Sequence, residues 1–167
     1  ALMENGSHEL YLADMETTEE ELSAFTSDCD FVFHLAGVNR PENPDEFMAG
    51  NYGFTTLLLS HLKKQGNKAP VLMTSSIQAL LDNPYGKSKL AGEEYLIAYG
   101  HEETVPVHVF RLANVFGKWS RPDYNSVVAT FCYRIPRNLP IEIHDPGSQL
   151  TLIHIDDLIE VFLDALN

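Results

Sequence analysis

Three side chains in this sequence could together move a proton at a carbonyl group. Ser76 closes the run Thr74-Ser75-Ser76, and Tyr85 and Lys89 follow in Asn83-Pro84-Tyr85-Gly86-Lys87-Ser88-Lys89. Residues four apart on a helix project from one face. Lys89 in that position is expected to favour the Tyr85 phenolate and draw an ordinary pKa of about 10 toward neutrality. A tyrosine tuned this way donates a proton to a carbonyl oxygen or takes one from a hydroxyl. Ser76, at the C-terminal end of a strand, where open α/β sheets bind ligands, is placed to hydrogen-bond the same oxygen. A Tyr-x-x-x-Lys pair alone arises readily by chance, so its weight comes from the context: a strand-end serine, then an Asn-Pro helix start. The plainer alternative is a helix N-terminus whose tyrosine packs and whose lysine is solvated.

The surrounding pattern alternates short apolar runs with amphipathic stretches. Glu9–Ala13 reads as a strand, and Thr17-Thr18-Glu19-Glu20 offers a capping box for a helix through Phe25. Phe31–Ala36 is nearly continuous in apolar residues, as a buried parallel strand should be. Asn43, Pro44 and Glu46 open a helix that runs to about Lys64, with Gly66 as its stop. Pro70–Thr74 is a strand, Asn83-Pro84 opens a helix to about Tyr99, and Val107–Leu112 is a strand. A helix over Asn125–Arg137, a short strand at Ile141–Ile143, an extended piece at Thr151–Ile155 and a helix over Asp156–Leu166 complete the order. Strand and helix alternate throughout, which predicts one α/β domain with a doubly wound parallel sheet. No repeat or linker interrupts it.

Composition narrows the function classes. The 167 residues carry 24 acidic side chains against 11 Lys and Arg, a formal charge of −13. Such a chain repels nucleic-acid phosphate, which sets DNA and RNA aside as partners. No apolar run reaches the roughly 18 residues of a membrane span. Two cysteines, Cys29 and Cys132, are too few for a disulfide framework and point to a reducing cytoplasm. Charge is unevenly placed: residues 1–60 carry twelve carboxylates and Arg40, whereas 111–137 carry Arg111, Lys118, Arg121, Arg134 and Arg137 against Asp123. That cationic island is either a site for a small anion such as pyrophosphate or a solvated basic face. No two-histidine helical spacing supports a metal; His154 with Asp156 and Asp157 reads as a strand end and a helix cap. His34 reads as a core histidine, Cys132 as buried, and Trp119 either as a stacking platform or as a cap on the core edge.

With these motifs in order the sequence resembles the extended short-chain dehydrogenases/reductases, the NAD(P)-dependent nucleotide-sugar epimerases and dehydratases. His34-Leu35-Ala36-Gly37 is similar to the segment that lies along the dinucleotide, and Ser76, Tyr85 and Lys89 to the catalytic triad. Asn51 stands where the family has an asparagine supporting the proton relay. Arg111-Leu112-Ala113-Asn114-Val115-Phe116-Gly117 resembles the stretch joining the nicotinamide pocket to the sugar site, and His154-Ile155-Asp156-Asp157 a late strand-to-helix signature. The resemblance implies a Rossmann-type fold, with Leu35, Ala36, Gly37, Tyr85, Lys89 and Ala113 at the cofactor and Asn114 facing substrate. Lys89 would also hold the nicotinamide ribose.

Within the family, Gly37-Val38-Asn39-Arg40-Pro41-Glu42, the short Ser76–Tyr85 gap and Phe116-Gly117-Lys118-Trp119 resemble the reductase domains of capsular polysaccharide synthesis that precede a cupin domain. That implies NADPH-dependent reduction, at C4, of a UDP-4-keto-6-deoxy-N-acetylhexosamine, with Tyr85 protonating the oxygen. Asn39, Arg40, Lys118 and Arg121 become substrate-side candidates, the cations taking the phosphate duty because Leu150 stands where many relatives have arginine. A dehydratase is expected to carry Asp-Glu after the serine, where Ile77-Gln78 stands. A UDP-sugar 4-epimerase stays open, as does a non-catalytic nucleotide-sugar-binding module.

One departure from the pattern is plain: no G-x-x-G-x-x-G or G-x-G-x-x-G occurs. The family's first strand and glycine-rich loop would lie upstream, so residues 1–167 are expected to form a partial NAD(P)-binding domain of a longer polypeptide. That polypeptide would add an N-terminal βα unit and a C-terminal cupin domain, and would pair as a homodimer through the helices bearing Asn51 and Tyr85. Asp14, read as a strand end, could bond an adenosine ribose hydroxyl and favour NADH over NADPH.

Overall fold

The computed structural model describes residues 8–143 and 145–166. They group into two compact units, Ala1–Phe110 and Arg111–Asn167. In the first, α1 (Glu19–Asp28) opens with a capping box in which Thr18 accepts from the Glu21 amide at 3.2 Å and Glu21 accepts from the Thr18 amide at 2.9 Å. The box thus sits on Thr18 and Glu21, the pair that leaves Leu22 and Thr26 facing inward. Then come β1 (Val32–His34), the short α2 (Asp45–Phe47), a π-helical turn (Met48–Gly53), and α3 (Phe54–Gln65). Asn43 accepts from the Asp45 amide at 3.1 Å, and Gly66 ends α3 with φ of 65°. β2 (Val71–Ser76), a 3₁₀ turn (Ile77–Leu80), α4 (Pro84–Glu103) and β3 (Val107–Leu112) follow.

β2 is central in a sheet ordered β1-β2-β3, and pairs with β1 in parallel, Phe33 opposite Leu72. It is buried nearly end to end because α3 and α4 cover it: Leu59, Leu62, Val71, Met73, Leu96, Tyr99 and Val105 form the core. Covering a strand this way places its C-terminal end, Thr74-Ser75-Ser76, against the first turns of α4.

Glu9–Ala13 is not a strand in the described structure. Tyr11 instead stacks on Phe25, ring centroids 5.0 Å apart, and donates to Asp28 at 2.7 Å, so local side-chain bonds hold the segment on α1. Asp14 is correspondingly not a strand end; its carboxylate accepts from the Glu16 amide at 2.9 Å in a turn.

The second unit contains β4 (Asn114–Phe116) and β5 (Leu152–His154), paired in parallel, with α5 (Val127–Arg134), a 3₁₀ turn (Ile135–Arg137) and α6 (Ile155–Asp164). β4 was not anticipated, being three residues separated from β3 by Ala113 alone. Ile141–Ile143 is irregular rather than a strand. Cys132 is exposed, not buried: the partly covered stripe of α5 runs through Val128, Phe131 and Arg134, and Cys132 falls beside it. Trp119 is 98% exposed, so it does not cap a core edge. Among the described residues no helix is long and apolar enough to cross a membrane, and no group of three His, Cys, Asp or Glu could hold a metal.

Candidate active site

The first unit brings Ser76, Tyr85, Lys89 and Asn51 together, and the local sequence explains how. Asn83 caps α4, its side chain accepting from the Gly86 amide at 2.7 Å, with Pro84 at the first helical position. Gly86 lets this end press on the 3₁₀ turn, because a Cβ there would lie 2.1 Å from the Gln78 carbonyl oxygen. The helix start is thereby fixed close to Ser76. The Ser76 hydroxyl accepts from the Gln78 amide at 3.1 Å and lies close enough to the Tyr85 phenol to lower its pKa. The Tyr85 ring packs on Phe47 with centroids 5.5 Å apart.

Lys89 lies one turn along, 5% exposed, and donates to the Thr74 carbonyl at 2.8 Å. Asn51 sits in the π-helical turn, a distortion frequent at functional sites. Its carboxamide accepts from the Val38 amide at 2.8 Å and donates to the Val38 carbonyl at 3.0 Å and to Ser88 at 2.9 Å. Ser88 in turn donates to the Tyr85 carbonyl at 2.7 Å. Asn51 therefore ties the loop after β1 to the first turn of α4. Behind it, Thr55 donates to the Asn51 carbonyl at 2.6 Å, so Thr55 accepts from His34 Nε2 at 2.8 Å. His34 is a core histidine, as expected, with its Nδ1 buried and without a hydrogen-bond partner among the described residues.

The electrostatics correct one expectation. Burial raises the Tyr85 pKa above the ordinary tyrosine value, and the Ser76 hydroxyl opposes this only in part. Lys89 does not pull it toward neutrality, because its ammonium turns to the strand backbone. Burial also lowers the Lys89 pKa, against which Glu93 acts. Tyr85 is consequently held as the neutral acid.

The other candidates occupy more open places. Leu35, Ala36 and Gly37 leave the end of β1 exposed, followed by exposed Asn39 and Arg40. Ala113, Asn114, Lys118 and Arg121 belong to the second unit. There Asn114 donates to the Thr151 carbonyl at 3.2 Å, Lys118 pairs with Asp156 at 3.0 Å, and the Arg121 guanidinium lies 5.3 Å from the Tyr124 ring centroid. Arg134 pairs with Asp123 at 2.7 Å, so part of the cationic island is already neutralised. Sequence reasoning missed Ser75, Ser88 and Glu93. The last was within reach, since it continues the four-residue spacing of Tyr85 and Lys89.

Comparison with known proteins follows the same lines. The pattern of the NAD dependent epimerase/dehydratase family matches residues 3–167. A UDP-2-acetamido-2,6-beta-L-arabino-hexul-4-ose reductase from Pseudomonas aeruginosa is 47% identical over 166 residues, covering 99% of this chain and 45% of the relative. The crystal structure of the capsular polysaccharide assembling protein CapF from Staphylococcus aureus superimposes with a TM-score of 0.85 at 43% identity, over 98% of this chain and 44% of that one. A UDP-glucose 4-epimerase from Thermotoga maritima, solved with UDP-glucose, gives 0.79 at 26% identity, over 89% of this chain and 56% of the epimerase. The chain thus has a Rossmann-type α/β fold and spans less than half the length of the first two relatives.

Proposed function

Because the chain belongs to the NAD dependent epimerase/dehydratase family, we propose that it is the nicotinamide-facing part of a longer reductase. The substrate is a UDP-4-keto-6-deoxy-N-acetylhexosamine, reduced at C4 with NADPH or NADH during synthesis of a capsular polysaccharide precursor. The 4-keto-sugar reductase activity in the name of the 47% identical relative, and the capsular role in the name of CapF, support this reading. The observation that carries it is the joined set of Ser76, Tyr85 and Lys89 at the end of β2.

The residues present fit a dinucleotide. A Cβ on Gly37 would lie 2.9 Å from Asn51 Oδ1 and 3.4 Å from Lys89 Nζ, so bare backbone meets the ammonium there. Thr74 takes one of the three Lys89 N–H donors. Lys89, with the exposed backbone of Leu35, Ala36 and Gly37, would hold the nicotinamide ribose. When bound, the cofactor supplies hydride. The chain's own groups do the rest: the Ser76 O–H orients the keto oxygen, and the Tyr85 O–H passes its proton to that oxygen as C4 becomes tetrahedral. A Tyr85 held neutral by burial suits this direction.

Asn39, Arg40, Asn114, Lys118 and Arg121 are assigned to the UDP-sugar, and Ala113 to the nicotinamide side. The remainder of the polypeptide would supply a glycine-rich βα unit and a cupin domain. A homodimer would form through α3 and α4, whose Leu57, Tyr95 and Ile97 are exposed.

The test uses the full-length protein with NADPH or NADH and the 4-keto sugar nucleotide, following loss of reduced nicotinamide and appearance of the 4-hydroxy product. Turnover that Tyr85→Phe abolishes supports the proposal. Nucleotide binding without turnover of any 4-keto sugar overturns it.

A further inference from the structure

The face of α4 that carries Tyr85 and Lys89 has a third member that the reaction above does not use. Glu93 lies one turn beyond Lys89, and its side chain is 2% exposed. The Ser75 hydroxyl donates to Glu93 Oε1. Each of the last three residues of β2 therefore engages one residue of that face: Ser76 the Tyr85 phenol, the Thr74 carbonyl Lys89, and Ser75 Glu93. A carboxylate withdrawn from water is costly unless it is hydrogen-bonded and set against a positive charge. Ser75 supplies the first condition, and Lys89, itself buried one turn away, supplies the second.

We infer that Glu93 is a positioning residue for Lys89: its buried carboxylate, fixed by Ser75, is the counter-charge that holds the Lys89 ammonium at the Thr74 carbonyl and beside Gly37. This rests on Lys89 serving the proposed reduction and adds a residue outside the Ser76, Tyr85, Lys89 and Asn51 set. Among the described residues, the titratable groups nearest Lys89 are Glu93 and Tyr85, one turn either side of it on α4, and His34 from β1. Its neighbours from β2 and the π-helical turn, Thr74 and Asn51, do not titrate. Burial keeps both His34 and Tyr85 neutral near pH 7. Of these groups, only Glu93 can supply negative charge.

The experiment is a ¹³C NMR titration of lysine side chains in the full-length protein, with Lys89→Arg identifying the Lys89 resonance. Glu93→Gln keeps an acceptor for Ser75 and nearly the same volume while removing the charge. Its Lys89 midpoint is expected to fall by about one pH unit, a tenfold change, with the alkaline limb of kcat/KM moving down alongside. Glu93→Asp should recover at least half of both. An unchanged midpoint in a folded Glu93→Gln protein overturns the inference. Should that variant not fold, Ser75→Ala carries the test: a smaller fall is expected, and no fall overturns it. If the wild-type protein reduces no 4-keto sugar yet the midpoint shifts, the proposed reaction fails and the pairing of Glu93 with Lys89 stands.

Discussion

The end of β2 and the β4–β5 pair are both places where strands stop and polar side chains gather, but they are built differently. Around Ser76 the polar groups are withdrawn from water and bonded to one another or to backbone: Asn51, Ser75, Ser88, Lys89 and Glu93 are all buried. Around β4 and β5 they stay hydrated, with Lys118 and Asp156 paired at side-chain exposures of 64% and 46% and Asn114 exposed. Among the described residues, the buried apolar side chains other than Leu158 belong to the first unit. Proton transfer depends on geometry held before the substrate arrives. Recognition of a phosphate or pyrophosphate needs accessible cations that can rearrange. On the proposed function, the contrast would leave bond-making to the first unit and let the hydrated cations of the second share in recognition with Asn39 and Arg40 of the first.

The strongest way to break that assignment is Tyr85→Phe. The ring packing on Phe47 survives, and only the phenolic O–H, with its interaction with Ser76, is lost. General acid catalysis contributes about 10²–10⁴-fold, so kcat should fall by that range while dinucleotide affinity, measured by calorimetry, stays within a factor of two or so. A fall confined to KM would move the proton-transfer role elsewhere. In the wild type, Tyr85 should cause no decline through neutral pH, because burial keeps the phenol protonated, and the alkaline limb should follow Lys89, whose pKa burial lowers.

How legible this was from sequence differs between the regions for the same physical reason. α4 could be placed from Asn83, Pro84 and the Tyr85–Lys89 spacing, since capping and helical periodicity are local. Its inward partners were harder to see. Nothing in the sequence marks the π-helical turn that lifts Asn51 toward Val38 and Ser88, because that turn arises from packing between elements. The expected pull of Lys89 on Tyr85 failed likewise: spacing puts the two on one face but does not say that the ammonium turns toward Thr74. In the second unit, three-residue strands leave too little periodicity to read, so β4 was missed and Ile141–Ile143 was assigned a strand it does not form.

A second test sharpens the contrast through pH. Burial, with the Lys89 charge second, pushes the His34 pKa down to about 4 from 6.5. The folded state refuses a proton that the unfolded chain accepts below pH 6.5, so this contribution is intact above 6.5 and is lost as pH falls toward 4. The loss amounts to about 3 kcal/mol at most. Urea unfolding at pH 7.5, 5.5 and 4.5 should show it, and the difference from His34→Gln isolates this residue from the carboxylates. A constant difference across that range would mean that His34 titrates normally.

Gly86→Ala probes the same region mechanically. The added methyl meets two backbone carbonyl oxygens, of Gln78 and Leu81, at 2.1 and 2.7 Å, so the helix start must move away. Overpacking of this kind costs about 1–3 kcal/mol, read as a lower melting temperature. Because the moved turn carries Tyr85, kcat should drop more than KM rises. Unchanged kinetics would show that the end of β2 tolerates displacement, against the preorganised role given to it.

The smallest effect is expected from Lys118→Ala, and its smallness is the point. An exposed lysine–carboxylate pair contributes little to stability because water and salt screen it. The melting temperature should therefore stay where it is. If Lys118 also meets the phosphates of a UDP-sugar, KM rises severalfold with kcat unchanged, the pattern of an interaction equal in ground and transition states. Asp156→Asn then separates the two duties: it releases Lys118 from its 3.0 Å partner, so it should lower KM and steepen its salt dependence. A Lys118→Ala variant that instead lost kcat would place this lysine with the bond-making groups, and the division between a fixed first unit and an adjustable second would not hold.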